Sequence, residues 1–480
     1  MSDLLEGLPI CLWSAIGVDR MSLLLQNLKQ TFKGCMSYVL KQSIGPYRTR
    51  FKWLTQTQWY SAEQHRMLQL TCLQNLITHA YQTVPFYQRL MADGGFRPQD
   101  IRSLEDIKQF PILTKADIQN AGSSLVSRKY SRLLTRTAYT GGTTGARLPL
   151  RRDLWSIGNE HAFVRRLYNW AGLSGFEPIA FLLARRVCPQ NPHTPFPYAY
   201  DPVRKELILS VFHLRAANAK QFLEALRKYH IQALIGYPSA ISILARWILN
   251  EKETLRLKAV LTTSETLESS RKKLIEDAFE CRVFDFYGGG ERVCYIHMCP
   301  QGKYHLITEY GLTEFLDTPD KTNVKKIIST GFWNWAMPLI RYDTGDLVQV
   351  GSIEECPCGR HYPHIERIIG RQGQILRTPS GYELGPTVLE AMMENILFDM
   401  KGIPVGEAQI IQEKADRLVL EYVPLNQFSV KDKESIARLA RRHFPQDFQV
   451  EIRAVNAVRR TVSGKALSLI LNTVEERERK

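Results

Sequence analysis

The stretch Val283-Phe284-Asp285-Phe286-Tyr287-Gly288-Gly289-Gly290-Glu291 runs from a β-prone apolar segment straight into three glycines and an acid. That order places a carboxylate just past the carboxyl end of a strand, the end at which open α/β sheets bind ligands. Working outward, similar short apolar runs lie upstream at 179–183, 233–235 (followed by Gly236) and 259–261. Helix-like segments separate them. This alternation over 137–345 predicts an α/β domain whose helices cover a largely parallel sheet.

Downstream, Gly370, Gly373, Pro379, Gly381, Gly385 and Pro386 cluster as turn punctuation. Beyond them a strand over 417–422 and a helix over 431–442 suffice for a small α+β domain. Upstream, 60–135 reads as helices broken by loops at Pro85-Phe86-Tyr87 and Asp93-Gly94-Gly95. The expected organisation is a helical extension over 1–60, a main domain over 61–373 and a small mobile domain over 374–480.

The 480 residues, 44% hydrophobic and 23% charged, describe a folded chain too long for one core. Nine cysteines in a chain of this length are not a secreted disulfide framework and fit a reducing cytoplasm. The net charge of +15 comes from lysines and arginines scattered in ones and twos, such as Arg165-Arg166, Arg185-Arg186 and Arg459-Arg460. With no basic run or nucleic-acid motif, the charge reads as a solvated surface that attracts small anions, and no nucleic acid is expected. No apolar stretch is long enough to span a bilayer, and the start has acids before its apolar run, so no secretion signal is expected. Residues 21–41 set Met21, Leu25, Leu28, Phe32, Cys35 and Val39 on one helical face with lysines elsewhere. Packing on its own domain or a partner, or weak contact with an anionic membrane surface, would each use that face. A homodimer is a further open expectation.

Four more motifs accompany Tyr287–Glu291. Thr140-Gly141-Gly142-Thr143-Thr144-Gly145 follows a strand ending near Tyr139, and its backbone N–H groups and hydroxyls could cradle phosphates. It is not a Walker loop, since no Lys-Ser/Thr pair follows the last glycine. Arg341-Tyr342-Asp343-Thr344-Gly345-Asp346 carries an acid suited to ribose hydroxyls, Gly370-Arg371 sits at the boundary, and Thr461-Val462-Ser463-Gly464-Lys465 lies near the C-terminus. Each alone reads as an ordinary turn; the ordered set of five does not.

From about residue 65 onward the chain resembles the acyl-adenylate-forming superfamily, and within it the phenylacetate–CoA ligase branch and its capsule-polysaccharide (CapK-like) relatives. The resemblance includes Leu76–Ala80, Val84–Tyr87 and Pro111–Lys115. It implies an acetyl-CoA-synthetase-like fold: a large AMP-binding adenylation domain and a C-terminal lid. It further implies that Thr140, Gly142, Thr143, Thr144 and Gly145 cover the ATP phosphates and that Tyr287 and Gly288 lie beside adenine. Ser264 and Glu265 would join the nucleotide ligands, Glu291 would hold Mg²⁺, and Asp346 would take the ribose. Arg371 would sit at the nucleotide edge, and Lys465 would swing in to stabilise charge as the carboxylate attacks the α-phosphate. Departures are Gly141, Gly290, Ala146-Arg147 after the loop, and Gln374 at the hinge.

Cys299-Pro-Gln-Gly-Lys-Tyr-His305 and Cys356-Pro-Cys358 lie between these motifs. One Cys–His and one Cys–Cys pair suit structural Zn²⁺, though the spacing is not that of a zinc finger. The resemblance implies such a zinc at these positions. Cys294, His297, His361 and His364 read as packing residues. The function so implied is ATP-dependent activation of a small, aryl-like carboxylic acid, followed by transfer to CoA. Transfer to an amine, hydroxyl or carrier-protein thiol is the alternative, since no CoA motif is present. A zinc-braced scaffold without catalysis is the reading from another class. Candidate acid-pocket residues include Tyr237, Ser264 and Tyr287.

Overall fold

The computed structural model describes residues 23, 26–28, 31–32, 46–131, 135–140, 148–185, 187–188, 196–214, 216–318, 321–351, 355–370, 376–380, 383–384, 392, 396, 400, 403–424, 428–444, 448–456 and 469–471. Helices α1 (Tyr47–Thr57), α2 (Ala62–Thr83), α3 (Pro85–Gly94) and α4 (Lys115–Ala121) come first. Ser61 and Gln64 form a reciprocal capping box at the start of α2, and Leu73, Leu76, Ile77 and Ala80 form its fully buried face. Although α1 lies in the segment expected to be an extension, it is built into the main domain. Leu54 is fully buried, and the Thr57 hydroxyl donates to Glu309 at 2.7 Å across 252 residues of sequence.

A hairpin of β1 (Thr135–Thr140) and β2 (Leu148–Asp153) leads into α5 (Leu154–Trp170), whose N-cap is Asp153. The main sheet then accumulates from β3 (Ile179–Leu183), β4 (Tyr198–Asp201), β5 (Glu206–Ser210), β6 (Ala233–Gly236), β7 (Ala259–Thr263), β8 (Arg282–Gly288), β9 (Tyr295–Met298), β10 (Tyr304–Leu306) and, much later, β14 (His364–Ile365). Its order is β14-β10-β9-β8-β7-β6-β3-β5-β4, with β5, β3, β6, β7 and β8 parallel and the flanking strands antiparallel. The connecting helices are α6 (Ala216–Lys228), α7 (Pro238–Asn250) and α8 (Ser269–Phe279). Alternate strand residues enter two separate cores. Ala180, Leu182, Leu234 and Val260 pack toward α6–α8, whereas Ile179, Phe181, Ala233, Ile235, Ala259 and Leu261 face Leu167 of α5 and Leu173 just beyond it. Burial on both faces is why these strands are continuous apolar runs.

An antiparallel sheet of β11 (Gly311–Thr318), β12 (Lys321–Gly331), β13 (Tyr342–Gln349) and β15 (Arg367–Gly370) follows. After the short pair β16 (Leu376–Arg377) and β17 (Glu383–Leu384) comes the C-terminal unit. It contains β18 (Val405–Lys414), β19 (Arg417–Pro424), α9 (Val430–His443), β20 (Gln449–Ala454) and β21 (Leu469–Leu471), with sheet order β20-β19-β18-β21. The molecule is thus mixed α/β, a large domain followed by a C-terminal one.

Of the amphipathic segment 21–41, Leu28 and Phe32 are 54% and 61% exposed. Gln26 is buried, and the Asn27 carboxamide accepts a 2.8 Å hydrogen bond from the Tyr200 N–H. Leu23, packed against the core beneath α6–α8, and these polar side chains attach the segment, while Leu28 and Phe32 face outward. Among the described residues, no helix is long and apolar enough to cross a membrane.

Candidate nucleotide and metal sites

Two hydrogen bonds lace the glycine loop after β8 to β13. The Tyr287 hydroxyl donates to Asp346 Oδ2 at 2.7 Å, and the Tyr342 hydroxyl donates to Glu291 Oε1 at 3.3 Å. Burial first, and the Asp346 charge second, push the Tyr287 phenol well above its ordinary value, so it stays a donor. Gly288 is required here because a Cβ would run into the Tyr295 ring. Asp346 is set by the turn before it: Gly345 has φ 74°, and the Asp346 N–H reaches the Thr344 hydroxyl at 3.2 Å. The Pro111–Lys115 segment lies against the same strand, with Leu113 bridging Tyr342 in parallel through two 2.9 Å backbone bonds.

Ser264 follows β7 with φ 69°, in the left-handed region that a serine adopts only under constraint. The constraint comes from its neighbours. Glu265 accepts from both the N–H and the hydroxyl of Ser239, each at 3.0 Å. Helix α7 begins at Pro238 behind Tyr237, whose side chain makes no cap hydrogen bond, so Glu265 supplies the cap from 26 residues away. The structure thus gives Glu265, which the resemblance makes a nucleotide ligand, a helix-capping role, and burial raises its pKa. Replacing Glu265 with alanine should cost about 1–2 kcal/mol, the usual range for a lost cap. An unchanged urea midpoint would contradict that role. Next along, the Thr266 hydroxyl donates to the Ile369 carbonyl at 2.8 Å, immediately before Gly370 at φ 69°.

Two arginines unremarked in the sequence flank Glu291. Arg152, on β2, donates to the Gly290 carbonyl. Arg292 donates to the Ser156 carbonyl at 3.1 Å and lies 3.5 Å from Glu160. The only local hint was the adjacency of Arg292 to the acid. The Thr140 side chain, Gly142, Thr143, Thr144, Gly145, Arg371, Gln374 and Lys465 lie outside the described residues.

At the β14-β10-β9 edge of the main sheet, Cys299, His305, Cys356 and Cys358 bring their ligand atoms within 4.8 Å of one another. Cys299 and Cys356 sulfurs are 3.7 Å apart, and Cys358 Sγ is 3.4 Å from His305 Nε2. A disulfide would need about 2.05 Å. Two sulfurs on one tetrahedral metal, with bonds of about 2.3 Å, would sit about 3.8 Å apart. Burial pushes the Cys356 thiol up to about 12, so a thiolate there needs a cation to share it. The donor set fits such a metal.

Beside this cluster is a buried ion pair. Arg166 of α5 contacts Glu309 at 2.7 Å and the Tyr362 hydroxyl at 2.9 Å, while Tyr362 and Thr57 also donate to the same Glu309 oxygen. Arg166 and Glu309 are both fully buried. The basic pair Arg165-Arg166, read as surface charge, is therefore half interior.

A large α/β domain with loops gathered at the carboxyl ends of parallel strands, followed by a small C-terminal unit, is the architecture of adenylate-forming CoA ligases. A crystal structure of 2-hydroxyisobutyryl-CoA ligase with 2-HIB-AMP and CoA in the thioesterification state matches with a TM-score of 0.56, at 20% identity over 88% of this chain and 93% of that one. More particularly, the chain is homologous to CapK of Staphylococcus aureus, 24% identical over 81% of this chain and 85% of CapK. It is likewise related to the phenylacetate–coenzyme A ligase of Thermus thermophilus, 24% identical over 69% and 75% of the two chains. Residues 384–472 match the CapK C-terminal domain family.

Proposed function

We propose that this protein activates a carboxylic acid with ATP as an acyl-adenylate and then transfers the acyl group to CoA. The observation that carries the reading is the pair of hydrogen bonds Tyr287–Asp346 and Tyr342–Glu291, which gather an aromatic wall, a ribose-type acid and a metal-type acid on one edge. A carboxylate is a poor acyl donor because oxide is a poor leaving group. Adenylation replaces it with AMP, and the two anions must be held together by nearby positive charge. In this reading Tyr287 and Gly288 border adenine, Asp346 accepts from the ribose, and Glu291 holds Mg²⁺ against the phosphates. Lys465, in the C-terminal segment, would meet the reacting centre on closure, and Arg371 would sit at the nucleotide edge. The relatives named phenylacetate–coenzyme A ligase support an aryl or similarly small acid.

Exchange of labelled pyrophosphate into ATP, across a panel of aryl, fatty and hydroxy acids with and without CoA, tests this. Acid-dependent exchange followed by CoA thioester is expected. Exchange with product only on an amine, alcohol or carrier thiol would replace CoA as acceptor. No exchange with any acid, together with no ATP binding, would defeat the enzyme reading.

Cys299, His305, Cys356 and Cys358 would hold one structural Zn²⁺, a closed set that braces loops and leaves no position for substrate. Protein purified without added metal should contain about one equivalent of zinc; an amount well below that would reject the site.

A further inference from the structure

Two guanidinium groups near the Glu291 loop differ in circumstance. Arg292, at φ 59°, is committed: Glu160 lies 3.5 Å from its Nε, and that same carboxylate oxygen accepts from the Tyr310 hydroxyl at 2.6 Å. Arg152 reaches across from β2 to the carbonyl of Gly290, a neutral acceptor. No carboxylate lies within ion-pair distance of Arg152 among the described residues. Arg152 is half-buried, and burial, followed by the like charge of Arg292, lowers its pKa to about 10. The Glu160 and Glu291 carboxylates act on Arg152 in the opposite sense but offset burial and Arg292 only in part, so a phosphate anion reaching it would be favoured. The adjoining Gly289 and Gly290 are exposed.

We propose that Arg152 binds the terminal phosphates of ATP and the departing pyrophosphate, acting opposite the metal-type acid Glu291. Glu291 and Arg152 then grip the same polyphosphate from two sides, one through a divalent cation and one directly through a planar guanidinium suited to phosphate oxygens. The reaction balances simply: the acid oxygen bonds the α-phosphorus, the bond from α-phosphorus to the bridging oxygen breaks, and pyrophosphate leaves with that electron pair. Arg152 offsets the charge gathering on that leaving group. The role rests on the adenylation reading above.

The test compares nucleotides with and without the terminal phosphates. Arg152→Gln should weaken binding of Mg·ATP about tenfold, equivalent to about 1.4 kcal/mol, and leave AMP binding unchanged. The KM for pyrophosphate in the exchange reaction should rise by a similar factor, with the KM for the acid unmoved. Arg152→Lys, which keeps the charge, should retain part of the ATP affinity. Equal weakening of ATP and AMP would mean that Arg152 only holds the Gly290 loop, and unchanged ATP binding would remove any role; either overturns the proposal. If the wild-type protein binds ATP normally while these variants behave so, the inference alone fails. If the wild type binds no ATP, the adenylation reading falls and this falls with it.

Discussion

Glu309→Gln is expected to destabilise the protein by about 3 kcal/mol or more, although it changes one atom and nothing near the nucleotide edge. The substitution keeps the shape and an acceptor for Thr57, Arg166 and Tyr362, but it leaves the fully buried Arg166 guanidinium without a counter-charge. Removing one partner of a buried pair costs far more than the pair itself contributes, because the remaining charge cannot reach water. Hence the double replacement Arg166→Met, Glu309→Leu should recover a large part of the loss. Despite burial, which raises its pKa, Arg166 and the Tyr362 hydroxyl hold the Glu309 carboxyl below its usual range. A depressed carboxyl contributes stability that is fully present above the unfolded value of about 4.3. That contribution is lost as pH falls through the folded value. The gap between wild type and Glu309→Gln should therefore be constant near neutrality and narrow below about pH 4. Urea unfolding of the variants at two pH values decides it, and a loss under about 1 kcal/mol would show that the pair is not what holds this corner.

Glu291→Gln should lower acid-dependent pyrophosphate exchange by about two orders of magnitude, on the scale of losing one well-placed electrostatic contact at a reacting centre. The amide can still accept from Tyr342, so the laced loop should persist and the melting behaviour should barely change. What disappears is the charge that would draw Mg²⁺ to the phosphates. The Mg²⁺ concentration for half-maximal rate should rise in parallel. Exchange at the wild-type rate would remove Glu291 from the metal-binding role.

The parallel sheet was legible because a strand buried on both faces has no polar alternation to obscure it, as β3 and β6 show. The Cys/His cluster was legible too, since those residue types at two loops have few other reasons to recur. Arg166 carried a readable signal that was missed: Phe163, Arg166, Leu167 and Trp170 fall at helical spacing on one buried face. A charge on that face needs a partner, but the partner is 143 residues away and nothing near Glu309 marks it. Glu265 shows the same gap. The resemblance makes it a nucleotide ligand, and only the folded position of Ser239, in the first turn of a helix that Tyr237 leaves without a side-chain cap, shows that it caps that helix. Local pattern reports periodicity and residue type; it does not report which distant donor a side chain will meet.

The four-residue cluster spans the chain in a particular way. Cys299 and Cys356 are 57 residues apart, and β11, β12 and β13, with Asp346 among them, lie on the loop between them. A metal joining the two ends would act as a crosslink on the unfolded chain, worth about 4 kcal/mol of lost configurational freedom by the loop-closure estimate used for disulfides. Its influence would then fall on the odds that this segment finds its fold, leaving the turnover of molecules already folded almost untouched.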